Sequence, residues 1–88
     1  MDTTAETFIA HLKENKEWNF HYEEEKVEGN VNLWMHEDQF ILTWQEFPPG
    51  EEDSEHLYTK DERHTFNTSA ELLEFLENQK LYLAEFEA

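Results

Sequence analysis

Hydrophobic residues recur along this chain with two different periods, and the switch between them divides it into elements. Ala5, Phe8, Ile9 and Leu12 stand at offsets of three, four and seven, the spacing of one face of a helix that starts near residue 4 and ends near Asn15 or Lys16. His11, Lys13 and Glu14 fall mostly outside that face. Thr3 and Glu6 have the capping-box spacing, in which each side chain satisfies an open backbone N–H at a helix start. From Trp18 the period drops to two: Trp18, Phe20 and Tyr22 alternate with Asn19, His21 and Glu23, as in a half-buried strand. Gly29 and Asn30 supply turn residues after it.

Val31, Leu33 and Met35 form the next alternating set, with Trp34 on the opposite parity, and the pair Glu37 and Asp38 marks a second turn. Phe40, Leu42 and Trp44 alternate again, with Ile41 and Phe47 on the other side. Apolar groups of both parities place these two strands at the sheet's centre. Pro48, Pro49 and Gly50 end the last of them, and Glu51, Glu52, Asp53, Ser54 and Glu55 make an exposed acidic loop. Residues 56–59 and 65–66 read as a weak edge strand interrupted by the polar run 60–63. Thr68 and Glu71 repeat the capping-box spacing, opening a helix with Ala70, Leu72, Leu73, Leu76 and Phe75 toward the core and a break around Asn78. Residues 81–86 fit a strand and a helical turn equally well.

This element order predicts an α+β fold: an N-terminal helix, a three- to four-stranded antiparallel sheet in meander order, and a C-terminal helix on the same face. Eighty-eight residues suit one small acidic domain, 1–88. Twenty-two Asp and Glu against six Lys and Arg leave a net charge of −16, which disfavours direct binding to nucleic acid or an anionic membrane. The thirteen aromatic residues argue for a folded chain despite that charge. Absence of cysteine removes disulfides and thiol chemistry, and no apolar run approaches the length of a membrane span. A cytoplasmic protein is expected.

The candidates for chemistry are sparse. The five histidines, at positions 11, 21, 36, 56 and 64, include no pair three or four apart on a helix, so no metal site and no cofactor is expected. A first hairpin turning at Gly29 and Asn30 would make His21 and His36 sheet neighbours. Two glycines leave little for a phosphate-cradling loop, no nucleophile elbow is present, and nothing singles out one carboxylate pair among 22 acids. An enzyme is not expected.

The acidic residues themselves carry the strongest functional signal. They cluster beside the expected hairpin ends: Glu23, Glu24, Glu25 and Glu28, then Glu51, Glu52, Asp53 and Glu55, then Asp61 and Glu62. Glu71, Glu74 and Glu77 add a like-charge row on the C-terminal helix, which weakens it slightly. A folded surface of roughly 5,500 Å² gives about 340 Å² per net charge, against one per about 110 Å² on duplex DNA, so only clustering brings the density near that of a nucleic acid. An acidic surface also serves simple solubility or adaptation to salt.

Small acidic proteins that imitate nucleic acid, including phage inhibitors of bacterial defence nucleases and anti-CRISPR proteins, are similar in size and charge. That likeness is compositional and transfers no residue roles. The expected function is a non-enzymatic inhibitor that occupies the basic groove of a nucleic-acid-binding protein or nuclease. The alternatives are an immunity protein against a basic toxin, and a housekeeping interaction module or homodimer whose apolar sheet face is the interface.

Overall fold

The computed structural model describes residues 4–88. Helix α1 spans Ala5–Lys13, strands β1 to β4 span Trp18–Glu23, Glu28–His36, Gln39–Phe47 and Lys60–Phe66, and helix α2 spans Ser69–Asn78. The strands form one antiparallel sheet in the order β1-β2-β3-β4, so the α+β meander with a helix at each end is the observed architecture. No helix among the described residues is long and apolar enough to cross a membrane.

Local chemistry sets the helix boundaries. Thr3 lies outside the described residues, and the N-cap of α1 is Thr4, whose hydroxyl accepts from the Thr7 N–H at 3.1 Å. Thr68 caps α2 in the same way, accepting from the Glu71 N–H at 3.2 Å. Both helices close with a left-handed residue, Asn15 at φ 63° and Lys80 at φ 58°. After each, an N–H reaches back five residues, Lys16 to the His11 carbonyl at 3.3 Å and Leu81 to the Leu76 carbonyl at 2.9 Å. These pairs satisfy carbonyls that the helix leaves open.

Phe8, Ile9 and Leu12 of α1 and Leu72 and Leu76 of α2 bury against Val31, Leu33, Phe40, Leu42 and Trp44, so both helices cover the same face of the sheet. Ala5 and Ala70 are exposed rather than buried, because each lies in its helix's first turn, ahead of the residues that meet the sheet. Phe8 and Trp18 stack with ring centroids 5.0 Å apart, and the Trp18 indole N–H donates to the Phe8 carbonyl at 3.0 Å, tying β1 to α1. Residues 81–86 combine both readings of the tail. Leu83–Glu85 make one short helical turn, Phe86 buries against Phe8, and Glu87 bridges to Asn19 of β1.

Two expectations about the sheet are corrected. The first hairpin turns at residues 24–27, where the Glu24 N–H donates to the Val27 carbonyl at 2.7 Å, and Gly29 and Asn30 belong to β2. Apolar matching decides this: the observed register sets Trp18 across from Leu33 and Phe20 across from Val31. A turn at Gly29 and Asn30 would have placed Phe20 opposite Gln39 and Tyr22 opposite Glu37. His21 therefore pairs with Asn30, and His36 with Gln39 at the far end. The second correction concerns β4, in which the polar run 60–63 is itself the strand, while His56 and Leu57 lie in the short turn Glu55–Leu57. Hydrogen bonding along the edge of β3 outweighs the poor strand preference of Lys60, Asp61 and Glu62.

Candidate functional site

Antiparallel pairing gathers the end of β1, the start of β2, the end of β3 and the start of β4 at one end of the sheet. Glu23 faces Glu28, Glu28 faces Phe47, and Glu46 faces Lys60. The first turn and the proline loop, separate in sequence, thus become neighbours. Residues 23–28 and 46–62 are 23 of the 88 residues and hold eleven carboxylates against Lys26 and Lys60, a net of nine of the sixteen negative charges. The accessible surface of the chain is 6076 Å², about 380 Å² per net charge. Charge per residue in these two segments is about twice the chain's average, which moves the local density toward that of duplex DNA without reaching it.

The loop is folded onto the sheet face that the helices leave open. Gly50, at φ 83°, donates its N–H to Glu28 Oε1 at 3.0 Å. Tyr58 stacks on the fully buried Phe47 with centroids 5.2 Å apart, and its hydroxyl donates to the Glu52 carbonyl at 2.6 Å. Asn30 Nδ2 donates to Glu52 Oε1 at 3.4 Å, joining the loop to β2. The Ser54 hydroxyl donates to Glu51 Oε2 at 2.9 Å.

The expected site residues fall into three groups. Glu23, Glu24, Glu25, Glu52, Asp53, Glu55, Asp61 and Glu62 are exposed at the acidic end, with Glu51 half-buried among them. Glu28 is 93% buried, as its 7% exposure states, and holds the loop instead of presenting its charge outward. Glu71, Glu74 and Glu77 are exposed on α2, in the layer on the opposite side of the sheet from the proline loop. One surface cannot include both the loop and that row.

Residues that the sequence did not assign to this surface connect these groups. Glu46 accepts a hydrogen bond from the Tyr22 hydroxyl, and the Trp44 indole N–H donates to the same Tyr22 oxygen at 2.9 Å. Burial and the Glu46 carboxylate push the Tyr22 phenol above its ordinary range. His21 lies between Glu23 and Glu28 on the open face, its Nε2 2.9 Å from Glu28 Oε2 and 3.5 Å from Glu23 Oε1, while Nδ1 meets Asn30 Oδ1. The Asn30 contact raises the imidazole above its ordinary value; partial burial opposes it, and Glu23 and Glu28 add to it. Correct register would have exposed this trio in the sequence. His21, Glu23, Glu28 and Asn30 share one face only when the turn lies at 24–27.

His21, Glu23 and Glu28 have three possible ligand atoms within 4.8 Å of one another. A surface hollow of about 400 Å³ lies at the other end of the sheet between Lys13, Asn15 and residues 35–38. Comparison with protein-family models, with curated proteins and with solved structures returned no match. The reading of this site therefore rests on its own chemistry.

Proposed function

We propose that this chain is a non-enzymatic, cytoplasmic binding protein that presents the acidic end of its sheet to a basic nucleic-acid-binding groove of a partner protein, with exposed glutamates standing in for phosphates. The observation that carries this reading is the convergence of the 24–27 turn and the proline loop, with nine net negative charges on 23 residues. The fixed loop adds to it. Glu28 holds the Gly50 N–H, Asn30 the Glu52 carboxylate and Phe47 the Tyr58 ring, so the loop's carboxylates are presented from an ordered frame and lose less entropy on binding.

The reading in which an apolar sheet face forms a homodimer is less well supported, since the apolar face lies beneath the two helices and the open one carries Asn32, Thr43, Gln45, Arg63 and Thr65 beside Trp34 and Ile41. The test is capture from a bacterial lysate on immobilised protein, with elution by salt and by competing duplex DNA. Replacement of Glu51, Glu52, Asp53 and Glu55 by Gln, Gln, Asn and Gln should abolish capture, whereas neutralising Glu71, Glu74 and Glu77 should not. A partner that salt elutes but DNA fails to displace would favour a toxin–immunity pairing. Capture unaffected by the loop substitutions would reduce the acidic end to a solubility device.

A further inference from the structure

The trio at His21 poses a problem of charge that the surrounding hydrogen bonds make definite. Asn30 Nδ2 points to the Glu52 carboxylate at 3.4 Å, which turns its carbonyl oxygen toward His21. That oxygen can only accept, so the imidazole carries its proton on Nδ1, and in the neutral ring Nε2 holds a lone pair. That nitrogen lies 2.9 Å from Glu28 Oε2 and 3.5 Å from Glu23 Oε1. Three electron-rich atoms then converge, one of them on a carboxylate that is nine-tenths buried and whose other oxygen is already occupied by the Gly50 N–H. Glu23 and Glu28 are also directly opposed across the strands, an arrangement of like charges that is unfavourable by itself. A proton on Nε2 or a bound cation would balance the two carboxylates at their meeting point.

We propose that His21 Nε2, Glu28 Oε2 and Glu23 Oε1 form a binding site for a divalent transition-metal ion of the zinc class. Imidazole nitrogen and carboxylate oxygen are both good ligands for such an ion. Two ligands bound at about 2.0–2.1 Å lie roughly 2.9–3.4 Å apart in octahedral or tetrahedral geometry, close to the separations that His21 keeps from the two carboxylates. Asn30 is the outer partner that orients the ring, the role that fixes the tautomer of metal-bound histidines generally. Glu23 is exposed and leaves the ion a path from solvent and room for water as a further ligand. Because Glu28 also holds Gly50, the ion would clamp the first hairpin to the proline loop. This site stands independently of the partner proposed above.

The test is calorimetric titration of metal-free protein with ZnCl2 in a non-coordinating buffer, together with imidazole 15N NMR. One equivalent should bind, with His21 Nε2, and not Nδ1, moving to the metal-bound position. Glu23→Gln should weaken binding by roughly tenfold or more, Asn30→Ala by roughly 10- to 100-fold, and His21→Gln should abolish it. His64→Gln removes the comparable His64–Glu62 contact of 2.8 Å, which has no second carboxylate on the same nitrogen, and should leave binding unchanged. Melting each variant in EDTA shows that the fold persists where binding is lost. Absence of saturable binding up to about 1 mM zinc, coordination through Nδ1, or binding that survives His21→Gln would each overturn the site.

Discussion

The ring of Tyr22 occupies the space in which Gly29 would carry a side chain. A Cβ built on Gly29 would lie 2.2 Å from Tyr22 Cζ, so this cross-strand pair works only because one member is glycine. The ring is not free to swing away, since its oxygen is held by Trp44 and Glu46. Gly29→Ala should therefore destabilise the protein by about 1–3 kcal/mol, the usual range for overpacking, measured by urea denaturation. Tyr22→Phe should cost about 1–3 kcal/mol by leaving the Trp44 indole N–H without its partner. An alanine variant as stable as the parent would show that the Tyr22 network carries no stability.

Trp44 sits on a central strand, 8% exposed, with the Lys60 ammonium 3.2 Å from its ring centroid. Its neighbour in the core, Leu42, is fully buried. Trp44→Ala removes the core packing, the cation–π contact and the Tyr22 hydrogen bond together, at about 3–5 kcal/mol. For a domain of this size that is a large share of the total, so the variant should be largely unfolded by far-UV circular dichroism. Melting within a few degrees of the parent would contradict this.

The β2–β3 hairpin turns through two residues with positive φ, Glu37 at 50° and Asp38 at 65°. That turn prefers Asn-Gly, and a side chain such as glutamate is strained there. Glu37→Asn combined with Asp38→Gly should raise stability by about 1 kcal/mol and leave the acidic end untouched. Thermal melting checks it, and a lower melting temperature would mean that the strain is offset elsewhere in the turn.

His21 makes stability depend on pH. Its folded-state value is raised above that of the unfolded chain, so the contribution is fully present below the ordinary histidine value of about 6.5 and is lost as pH rises through the folded value. Glu23 and Glu28 face the ring, and Glu52 faces its Asn30 partner. In EDTA, midpoints of urea unfolding should fall between pH 6 and pH 8 for the parent, and His21→Gln should flatten that part of the profile. A slope equal in both proteins would place the pH dependence on other groups.

Self-repulsion at the acidic end should be visible without any partner. Added salt screens exposed charges within roughly 8 Å at physiological ionic strength, so the melting temperature should rise with NaCl. The variant with Glu51, Glu52, Asp53 and Glu55 neutralised should melt at the parent's temperature or slightly above and respond less to salt. A drop in its melting temperature would mean that the Ser54–Glu51 and Asn30–Glu52 bonds outweigh the repulsion.

Much of this protein is decided by local chemistry and is therefore written in its sequence. Period and capping residues determine two helices, alternation determines β1 to β3, Pro48 to Gly50 end the third strand, and the Glu37–Asp38 turn follows from two polar residues between alternating sets. The net charge and its clusters are equally a property of the chain alone. Tertiary structure decided what depends on pairing. Polar β4 is a strand because the edge of β3 supplies hydrogen bonds that its own residues do not predict. The turn moved from Gly29 and Asn30 to residues 24–27 because matching Trp18 with Leu33 and Phe20 with Val31 buries more apolar surface than a favourable turn pair saves. That same register brought His21 between two glutamates and buried Glu28, and antiparallel order brought two distant acidic segments to one end. Charge can be counted along a chain, but the field it makes depends on which residues folding sets side by side.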